Sequence, residues 1–229
     1  MDNLCIIPAR GGSKRIPRKN IKDFLGKPII AYSIEAALGS DLFSEVMVST
    51  DDAEIAKIAK QYGAQVPFMR SEKNSSDFAT TFNVLEEVID NYKKENKDFE
   101  HICCLYPCAP FVTNSILKTA FKNLIQDNGK SIFPVVEFSY PIQRALKIED
   151  LELKYDNEEY KNSRSQDLEK RYHDSGQFYL MKSSVVKNKE EIVGNDCRTL
   201  VVNELEVQDI DTLTDWKFAE LKYKLLNNG

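Results

Sequence analysis

The sequence predicts an α/β fold in which a mostly parallel β-sheet is flanked by helices. Short apolar runs typical of buried strands alternate along the chain with segments whose apolar residues recur at helical spacing. The length of 229 residues is ordinary for one α/β domain. We therefore expect a single domain over residues 1–229, with a break in the alternation after Phe138.

The first part of the chain carries the regular alternation. Strands are predicted at 4–7, 46–50, 65–69, 102–106 and 132–136. One helix should begin near Pro28 and end at Gly39, because proline fits a first helical turn and glycine a helix end. The other helices should begin at Asp51 or Asp52, at Thr80 or Thr81, and at Thr113 or Asn114.

The second part departs from this alternation. Residues 146–155 alternate apolar and charged side chains, which predicts an exposed hairpin, and the polar stretch 157–171 predicts a loop. Strands return at 177–181 and 199–202, and a terminal helix follows from Asp215. We therefore expect an inserted β element at about 139–175.

The composition excludes several classes of protein. The 31 Lys and Arg against 36 Asp and Glu give a net charge of −5, which argues against a general nucleic-acid or anionic-membrane binder. No apolar run is long enough to span a membrane, and the N-terminus lacks the features of a signal peptide. The five cysteines fit small buried side chains in a reducing compartment better than disulfides or a zinc site. We expect a cytoplasmic protein.

The stretch 8–20 is the strongest candidate for chemistry. It follows the first strand, at the carboxyl edge where open α/β sheets bind ligands. Its paired glycines allow backbone N–H groups to approach an anion, and its cations suit a polyphosphate. Neither the Walker pattern nor the dinucleotide fingerprint is present. The alternative is a solvated basic loop. The five cations are Arg10, Lys14, Arg15, Arg18 and Lys19.

Two further segments carry candidate ligands. If residues 207–212 are extended, Asp209 and Asp211 share one face while Ile210 points into the core, and paired carboxylates suit Mg²⁺. The alternative is a helix cap. Taken alone, Arg70 with 74–81 is better explained as a polar loop and helix cap, and the stretch 173–179 is as consistent with a turn before a strand as with a functional role.

Together these segments resemble the CMP-sialic acid synthetases, the acylneuraminate cytidylyltransferases. The pattern A-R-x-x-S-K-x-x-P-x-K-N is matched from Ala9 to Asn20, "VSTD" from Val48 to Asp51, and the final I-D-I-D-T motif by Asp209-Ile210-Asp211-Thr212. Arg70 and the stretch 76–81 resemble the family's "R…SDTASS" element. The resemblance implies a Rossmann-like nucleotide-diphospho-sugar transferase fold.

The chain also differs from typical members. Tyr106 stands where they have Gln, Gln143 where they have Lys, and Ser175 where they have Asn. These patterns resemble the pseudaminic acid cytidylyltransferase branch, which implies that CTP and pseudaminic acid give CMP-pseudaminic acid and pyrophosphate. The alternatives are the same reaction on N-acetylneuraminic, legionaminic or an octulosonic acid, a hexose-1-phosphate nucleotidyltransferase, and a non-catalytic nucleotide-binding regulator.

The resemblance also implies roles for individual residues. We expect catalysis from Arg10, Lys14, Lys19 and Asp211, and a Mg²⁺ ion on Asp209 and Asp211. We expect nucleotide contacts from Ala9, Arg10, Gly11, Ser13, Lys14, Asn20, Arg70, Thr81 and Tyr106. Groups that accept from the cytosine amino group should reject UTP.

The sugar site is expected to involve two subunits. The resemblance implies a homodimer in which the insert closes the partner's sugar pocket. The expected sugar contacts are Gln143, Arg144 and Arg164 from the insert, and Gln177 and Tyr179 from the same subunit. Arg164 aligns with a family arginine, whereas Arg144 is chosen because a guanidinium binds a carboxylate with two hydrogen bonds.

Overall fold

The computed structural model describes residues 2–227. Its strands are β1 (Asn3–Pro8), β2 (Asp23–Phe24), β3 (Lys27–Pro28), β4 (Glu45–Ser49), β5 (His101–Leu105), β6 (Ser131–Glu137), β7 (Leu146–Glu149), β8 (Glu152–Tyr155), β9 (Tyr172–Asp174), β10 (Phe178–Lys182) and β11 (Cys197–Val201). Its α-helices are α1 (Ile29–Gly39), α2 (Ala53–Gln61), α3 (Glu72–Ser75), α4 (Thr81–Lys94), α5 (Asn114–Gln126), α6 (Ser183–Lys187) and α7 (Leu213–Asn227).

A seven-stranded sheet organises these elements in the order β11-β6-β10-β5-β1-β4, with β9 also paired to β6. β1 is parallel to β4 and β5, and β6 is parallel to β11. β10 is antiparallel to both β5 and β6. The predicted mostly parallel sheet is confirmed, but the reversal of β10 was not predicted. A largely buried strand is apolar in either direction, so its sequence does not indicate which way it runs.

The core forms two layers, one on each face of the sheet. On one face, α1, α2 and α5 bury a stripe that includes Ile34, Ile55 and Leu117. On the other face, α4 packs Leu85 and Tyr92 against β1 and β5. Each stripe follows from apolar residues at helical spacing, and burying such side chains contributes about 1.5–3 kcal/mol each.

A third cluster joins the terminal helix to the stretch 8–20. Trp216 of α7 packs edge to face on Phe24, with ring centroids 5.5 Å apart and an interplanar angle of 75°. Ile16 and Ile210 are buried in the same cluster. The backbone at Ile210 is therefore held beside the loop that follows β1, and this contact brings the two strongest candidate segments together.

The structure resolves three alternatives and corrects one prediction. Asp52 caps α2 by accepting from the backbone N–H of Glu54 and Ile55, Thr80 caps α4, and Thr113 caps α5. The predicted strand at 65–69 is wrong, because only Gln65 forms a bridge, to Met47. Pro67 has no N–H to donate, so the ladder does not continue.

The insert forms the predicted hairpin, β7 and β8, and its two faces differ sharply. Ile148 lies opposite Leu153, and Leu146 lies opposite Tyr155. Ile148 and Leu153 are 74% and 65% exposed, so this apolar face is open to solvent in the single chain. Alternate positions carry charges, which places all four apolar side chains on one face.

The rest of the insert is irregular as predicted, with three short 3₁₀ turns at 142–144, 158–160 and 165–167. β9 then rejoins the main sheet, so 172–174 belongs to the sheet rather than to the insert. Within residues 2–227 the cysteines are unpaired, and three of them, Cys5, Cys103 and Cys104, are buried. No helix in this described range is long and apolar enough to cross a membrane.

Candidate active site

The candidate site is a cavity of about 300 Å³ at the carboxyl edge of the sheet. The loops after β1 and β5 reach this edge, and β10 begins there because it runs the other way. Gln208 and the Asp209-Ile210-Asp211 segment close the cavity. Of the predicted residues, the cavity is lined by Arg10, Ser13, Lys14, Lys19, Asn20, Tyr106, Gln177, Asp209 and Asp211.

The loop after β1 is held in shape by the start of α2. The N–H of Gly11 donates to Asp51 Oδ1 at 2.8 Å. A Cβ atom on Gly11 would lie 2.8 Å from Asp52 Oδ2, so this approach requires glycine. Arg18, in the left-handed conformation at φ 57°, donates to the carboxylates of Asp52 and Glu54. These contacts fix the loop's backbone at both its beginning and its end.

Arg10 and Lys14 both pair with one carboxylate, that of Asp77. Arg10 Nη1 lies 2.7 Å from Asp77 Oδ1, and the Lys14 ammonium contacts the other oxygen. These ion pairs hold the pKa of Asp77 below its usual value. Asp77 is not among the residues that line the cavity.

Lys19 connects the loop to the carboxylate pair. Its ammonium donates to the backbone carbonyl of Ile210 at 2.6 Å and lies 3.7 Å from Asp211 Oδ1. Arg15 Nη1 is 2.6 Å from the other oxygen of Asp211. Two positive charges are therefore fixed beside the Asp211 carboxylate, where they balance its negative charge.

Asp209 and Asp211 both line the cavity, and Ile210 between them is buried. The predicted alternation of the segment is confirmed. Burial, and then the nearby charge of Asp211, raise the pKa of Asp209. A carboxylate with this environment gains from a bound cation, and Mg²⁺ typically takes one or two protein carboxylates together with substrate phosphates. The two residues therefore fit the predicted ion.

Asn20 is oriented by two contacts. Its amide N–H donates to the carbonyl of Arg10 at 2.9 Å, and its Oδ1 accepts from the thiol of Cys108 at 3.4 Å. Burial raises the pKa of Cys108 to about 12, so the thiol keeps its proton at neutral pH. Cys108 was not predicted as a site residue, because a single cysteine carries no sequence signal for this contact.

A widened gap in the sheet adjoins the cavity at Tyr106 and Gln177, which line it, whereas the predicted sugar residue Tyr179 lies behind them and does not line it. β6 pairs with β10 up to Ile132 and with β9 from Val135 onward. The two residues of β6 in between, 133–134, therefore lie opposite the five residues 175–179. Pro134 cannot donate a hydrogen bond there, and Gly176 adopts a positive φ of 65°.

The aromatic side chains of this gap form a connected group. Tyr179 donates to Asp174 Oδ2 at 2.5 Å, and its ring packs on the edge of Tyr106 at 5.8 Å. The hydroxyl groups of Tyr106 and Thr81 are 3.3 Å apart. Burial raises the pKa of both tyrosines, so both remain protonated donors at neutral pH.

Gln177 is buried, and its amide group is only half satisfied. Its Nε2 donates to the carbonyl of Glu206 at 2.7 Å. Its Oε1 is buried and has no partner within residues 2–227, and the residue lines the cavity. An unpaired buried carbonyl oxygen is costly, so this atom is suited to accept from a ligand.

Four predicted nucleotide residues do not line the cavity: Ala9, Gly11, Arg70 and Thr81. The side chain of Ala9 is buried in the core. Arg70 is also buried, and it donates through Nε to Ser49 Oγ at 3.0 Å and through Nη2 to the Ser49 carbonyl at 2.5 Å. Burial lowers the pKa of Arg70. Arg70 thus fixes the end of β4, and its contact with a base stays a prediction.

The predicted sugar residues of the insert lie away from this cavity in the same chain. Gln143 Nε2 donates to the carbonyl of Glu169 at 2.7 Å, and Arg144 contacts the Ser165 hydroxyl at 3.4 Å. Arg164 is exposed and pairs with Asp167 at 2.7 Å. Their role in the sugar site stays a prediction.

Sequence reasoning missed four charged residues that the structure ties to the site. Asp77 and Asp174 lie in segments that were singled out, but as loops without a role. Arg15 and Arg18 were counted among the cations but not assigned. The partners of the two arginines are far away in sequence, 196 residues for Arg15 and Asp211 and 34 for Arg18 and Asp52, so no local spacing indicates these pairs.

Comparison with known proteins identifies the family. The model of the family described as "Cytidylyltransferase" matches residues 4–207. A pseudaminic acid cytidylyltransferase of Campylobacter jejuni is 48% identical over 227 residues, which cover 98% of this chain and 97% of the relative. A CMP-N,N'-diacetyllegionaminic acid synthase of Legionella pneumophila is 32% identical, covering 95% of this chain and 94% of the relative.

A solved structure shows the same fold. A CMP:2-keto-3-deoxy-manno-octonic acid synthetase complexed with CTP superposes with a TM-score of 0.71 over all of both chains, at 18% identity. At this identity the likeness concerns the fold alone, and it confirms the expected Rossmann-like architecture. The family match over most of the sequence, together with the high identity over nearly the whole length of a relative, shows that the chain belongs to the cytidylyltransferase family.

Proposed function

We propose that the protein transfers CMP from CTP to pseudaminic acid, giving CMP-pseudaminic acid and pyrophosphate. The observation that carries this proposal is the meeting of the loop cations and the paired carboxylates in one cavity, in a chain 48% identical to a pseudaminic acid cytidylyltransferase. A nucleotide-binding regulator does not require a pair of carboxylates. The presence of Asp209 and Asp211 in the cavity therefore favours an enzyme.

The loop cations would bind the triphosphate. Arg10 and Lys14 supply the charge for the β- and γ-phosphates, and Lys19, fixed near Asp211, supplies charge at the α-phosphate and the leaving pyrophosphate. The attacking group is the anomeric hydroxyl of the sugar acid, which attacks the α-phosphorus as pyrophosphate leaves in line. Catalysis of such a reaction consists mainly of positioning and charge neutralisation.

Asp209 and Asp211 would hold Mg²⁺. The ion, when bound, would polarise the α-phosphate and lower the pKa of the attacking hydroxyl. The two carboxylates themselves orient toward the cavity because the buried Ile210 fixes the backbone between them. Lys19 limits the repulsion between the carboxylates and an incoming phosphate.

The gap between β9 and β10 would receive the sugar acid. Gln177 Oε1 is available as an acceptor for a substrate N–H or O–H group, because the amide nitrogen is already committed to Glu206. The hydroxyl groups of Tyr106, which lines the cavity, and of Tyr179, which packs on Tyr106, stay protonated because burial raises the pKa of both. Substrate groups that satisfy Gln177 gain affinity, since the orphan oxygen is costly when left unpaired.

The test is mass spectrometry of the products formed from CTP, Mg²⁺ and a panel of nonulosonic acids. We expect CMP-pseudaminic acid as the preferred product. Preferential formation of CMP-legionaminic or CMP-N-acetylneuraminic acid would overturn the sugar assignment, and absence of any CMP-sugar would overturn the enzyme. With UTP or ATP we expect little pyrophosphate, because cytosine differs from uracil in an amino donor.

We also propose that the working form is a cytoplasmic homodimer in which the insert closes the partner's sugar site. The apolar face of the hairpin, formed by Leu146, Ile148, Leu153 and Tyr155, supports this. Gln143 Oε1 and Arg144 Nε are also buried without a partner within residues 2–227. Isologous dimers are the commonest oligomers.

The carboxylate contact is tested at Arg164. If Arg164 binds the sugar's carboxylate, Arg164→Ala should raise the KM for the sugar acid about tenfold or more while changing the KM for CTP less than twofold. Lys161→Ala is the matched control, since it removes a neighbouring exposed cation. An unchanged sugar KM would refute the assignment.

A further inference from the structure

The carboxylate of Asp77 forms ion pairs with Arg10 and Lys14, the two cations that the proposed reaction uses to bind the triphosphate. One of its oxygens is 2.7 Å from Arg10 Nη1 and the other contacts Lys14 Nζ. Arg10 Nη1 also lies 3.5 Å from the carbonyl of Ser76. Arg10 and Lys14 line the cavity, whereas Asp77 does not. The carboxylate therefore draws both cations from outside the space where a polyphosphate would lie.

These contacts are open to water. The side chains of Asp77, Arg10 and Lys14 are 43%, 37% and 76% exposed. Ion pairs of this kind are weak and exchange readily with other ions. By contrast, the pair of Arg18 and Asp52 is more buried and includes the cap of α2, so it is built to persist.

The segment that carries Asp77 is anchored at one end. Ser71 donates to the carboxylate of Glu87 through both its N–H, at 2.7 Å, and its hydroxyl, at 2.8 Å. Asn74 donates to the same carboxylate. At the other end, Thr80 caps α4. Between them Asp77 is exposed, and Phe78 beside it is 94% exposed. The backbone thus keeps Asp77 near the cations but out of the cavity.

We propose that Asp77 is an internal counter-ion, which pairs with Arg10 and Lys14 when no polyphosphate is present and is displaced when one binds. The proposal rests on the proposed function, because it takes the ligand to be a nucleoside triphosphate or pyrophosphate. Asp77 competes with the ligand for the same two cations. It therefore weakens the binding of both anions and speeds the departure of pyrophosphate after the reaction.

The test compares Asp77→Asn and Asp77→Ser with the wild-type protein by titration calorimetry with inorganic pyrophosphate and with CTP. Removing two exposed ion pairs should tighten pyrophosphate binding about three- to tenfold at low salt, and the gain should shrink at high salt. Product inhibition by pyrophosphate should strengthen by a similar factor. A residue that serves only to hold the loop would change thermal stability, and its loss would weaken binding instead.

Glu72→Gln is the matched control. It removes the same charge five positions earlier, and Glu72 makes no ion pair within the described residues 2–227. We expect a change below twofold. Equal or weaker pyrophosphate binding in the Asp77 variants, or equal tightening in Glu72→Gln, would overturn the proposal. Failure of the wild type to bind CTP would overturn the proposed function as well, so the two failures are distinguishable.

Discussion

The edge of the sheet that carries the cavity and the insert that follows β6 are held together in opposite ways. At the edge, charged side chains are paired within the same chain. Arg18 forms an ion pair with Asp52, and Lys19 donates to the Ile210 carbonyl. In the insert, the hairpin presents an apolar face to solvent. A two-stranded hairpin is marginally stable by itself. The comparison teaches that the charged groups at the edge are balanced within one chain, whereas the apolar face of the hairpin is left uncovered by the described residues.

Loss of a carboxylate at the edge should have the largest effect. Asp209→Asn should lower turnover by roughly 10³-fold or more, because charge stabilisation at the phosphorus is lost. A pyrophosphate-release assay measures this, and circular dichroism checks that the fold is kept.

Asp215→Asn is the control for this prediction. Asp215 lies six residues after Asp209 and accepts from the backbone N–H groups of Thr212 at 2.7 Å and Asp211 at 3.1 Å, but it does not line the cavity. Its loss should cost about 1 kcal/mol of stability and change turnover less than twofold. A near-wild-type rate for Asp209→Asn would contradict the metal assignment.

The insert should respond to changes that leave the edge untouched. Leu153→Asp places a charge on the apolar face and should convert a dimer to a monomer, raising the KM for the sugar acid about tenfold with little change in CTP binding. Light scattering and steady-state kinetics measure the two effects. Lys154→Ala, on the opposite face of the hairpin, should leave both unchanged. A monomeric wild-type protein would refute the dimer.

The smallest expected effect concerns the stability of the edge. Arg18 holds the pKa of Asp52 down at about 2, against an ordinary 3.8. Because the folded pKa is depressed, the stabilisation is fully present above about 3.8 and is lost as the pH falls through about 2.

Asp52→Asn keeps a capping oxygen but loses the ion pair. It should lower the free energy of unfolding by about 1 kcal/mol at pH 7, discounted because Arg18 is 38% exposed. Urea denaturation at pH 7 and at pH 3 measures the difference between variant and wild type. A difference in unfolding free energy that is as large at pH 3 as at pH 7 would contradict the ion-pair explanation.

The two regions also differed in how well the sequence predicts them. The longer helices, most strands of the main sheet and the hairpin follow from the period of the apolar residues, and the predicted bounds of the hairpin match β7 and β8. The short elements β2, β3, α3 and α6 were not predicted. The direction of β10 does not follow, because a buried strand has no polar face to mark it. The apolar pattern at 65–69 predicted a strand, but only Gln65 pairs with the sheet. Pro67 has no backbone N–H to donate, so the ladder does not continue.

The site was predicted mainly through motifs, and only its local part follows from spacing. The alternation at Asp209 and Asp211 is a property of an extended chain. The pairing of Arg10 and Lys14 with Asp77, more than sixty residues away, depends on how the loops after different strands meet. Resemblance supplied the positions of the cations but not the identity of their partners.

The insert begins and ends beside a single strand. Phe138, directly after β6, donates to the carbonyl of Arg171 at 2.9 Å, and β9 then pairs with the last three residues of β6. The two ends of the intervening stretch therefore meet beside β6, where one backbone hydrogen bond closes its base. We expect that exchanging residues 139–170 for the matching segment of a relative preserves the register between β6 and β9.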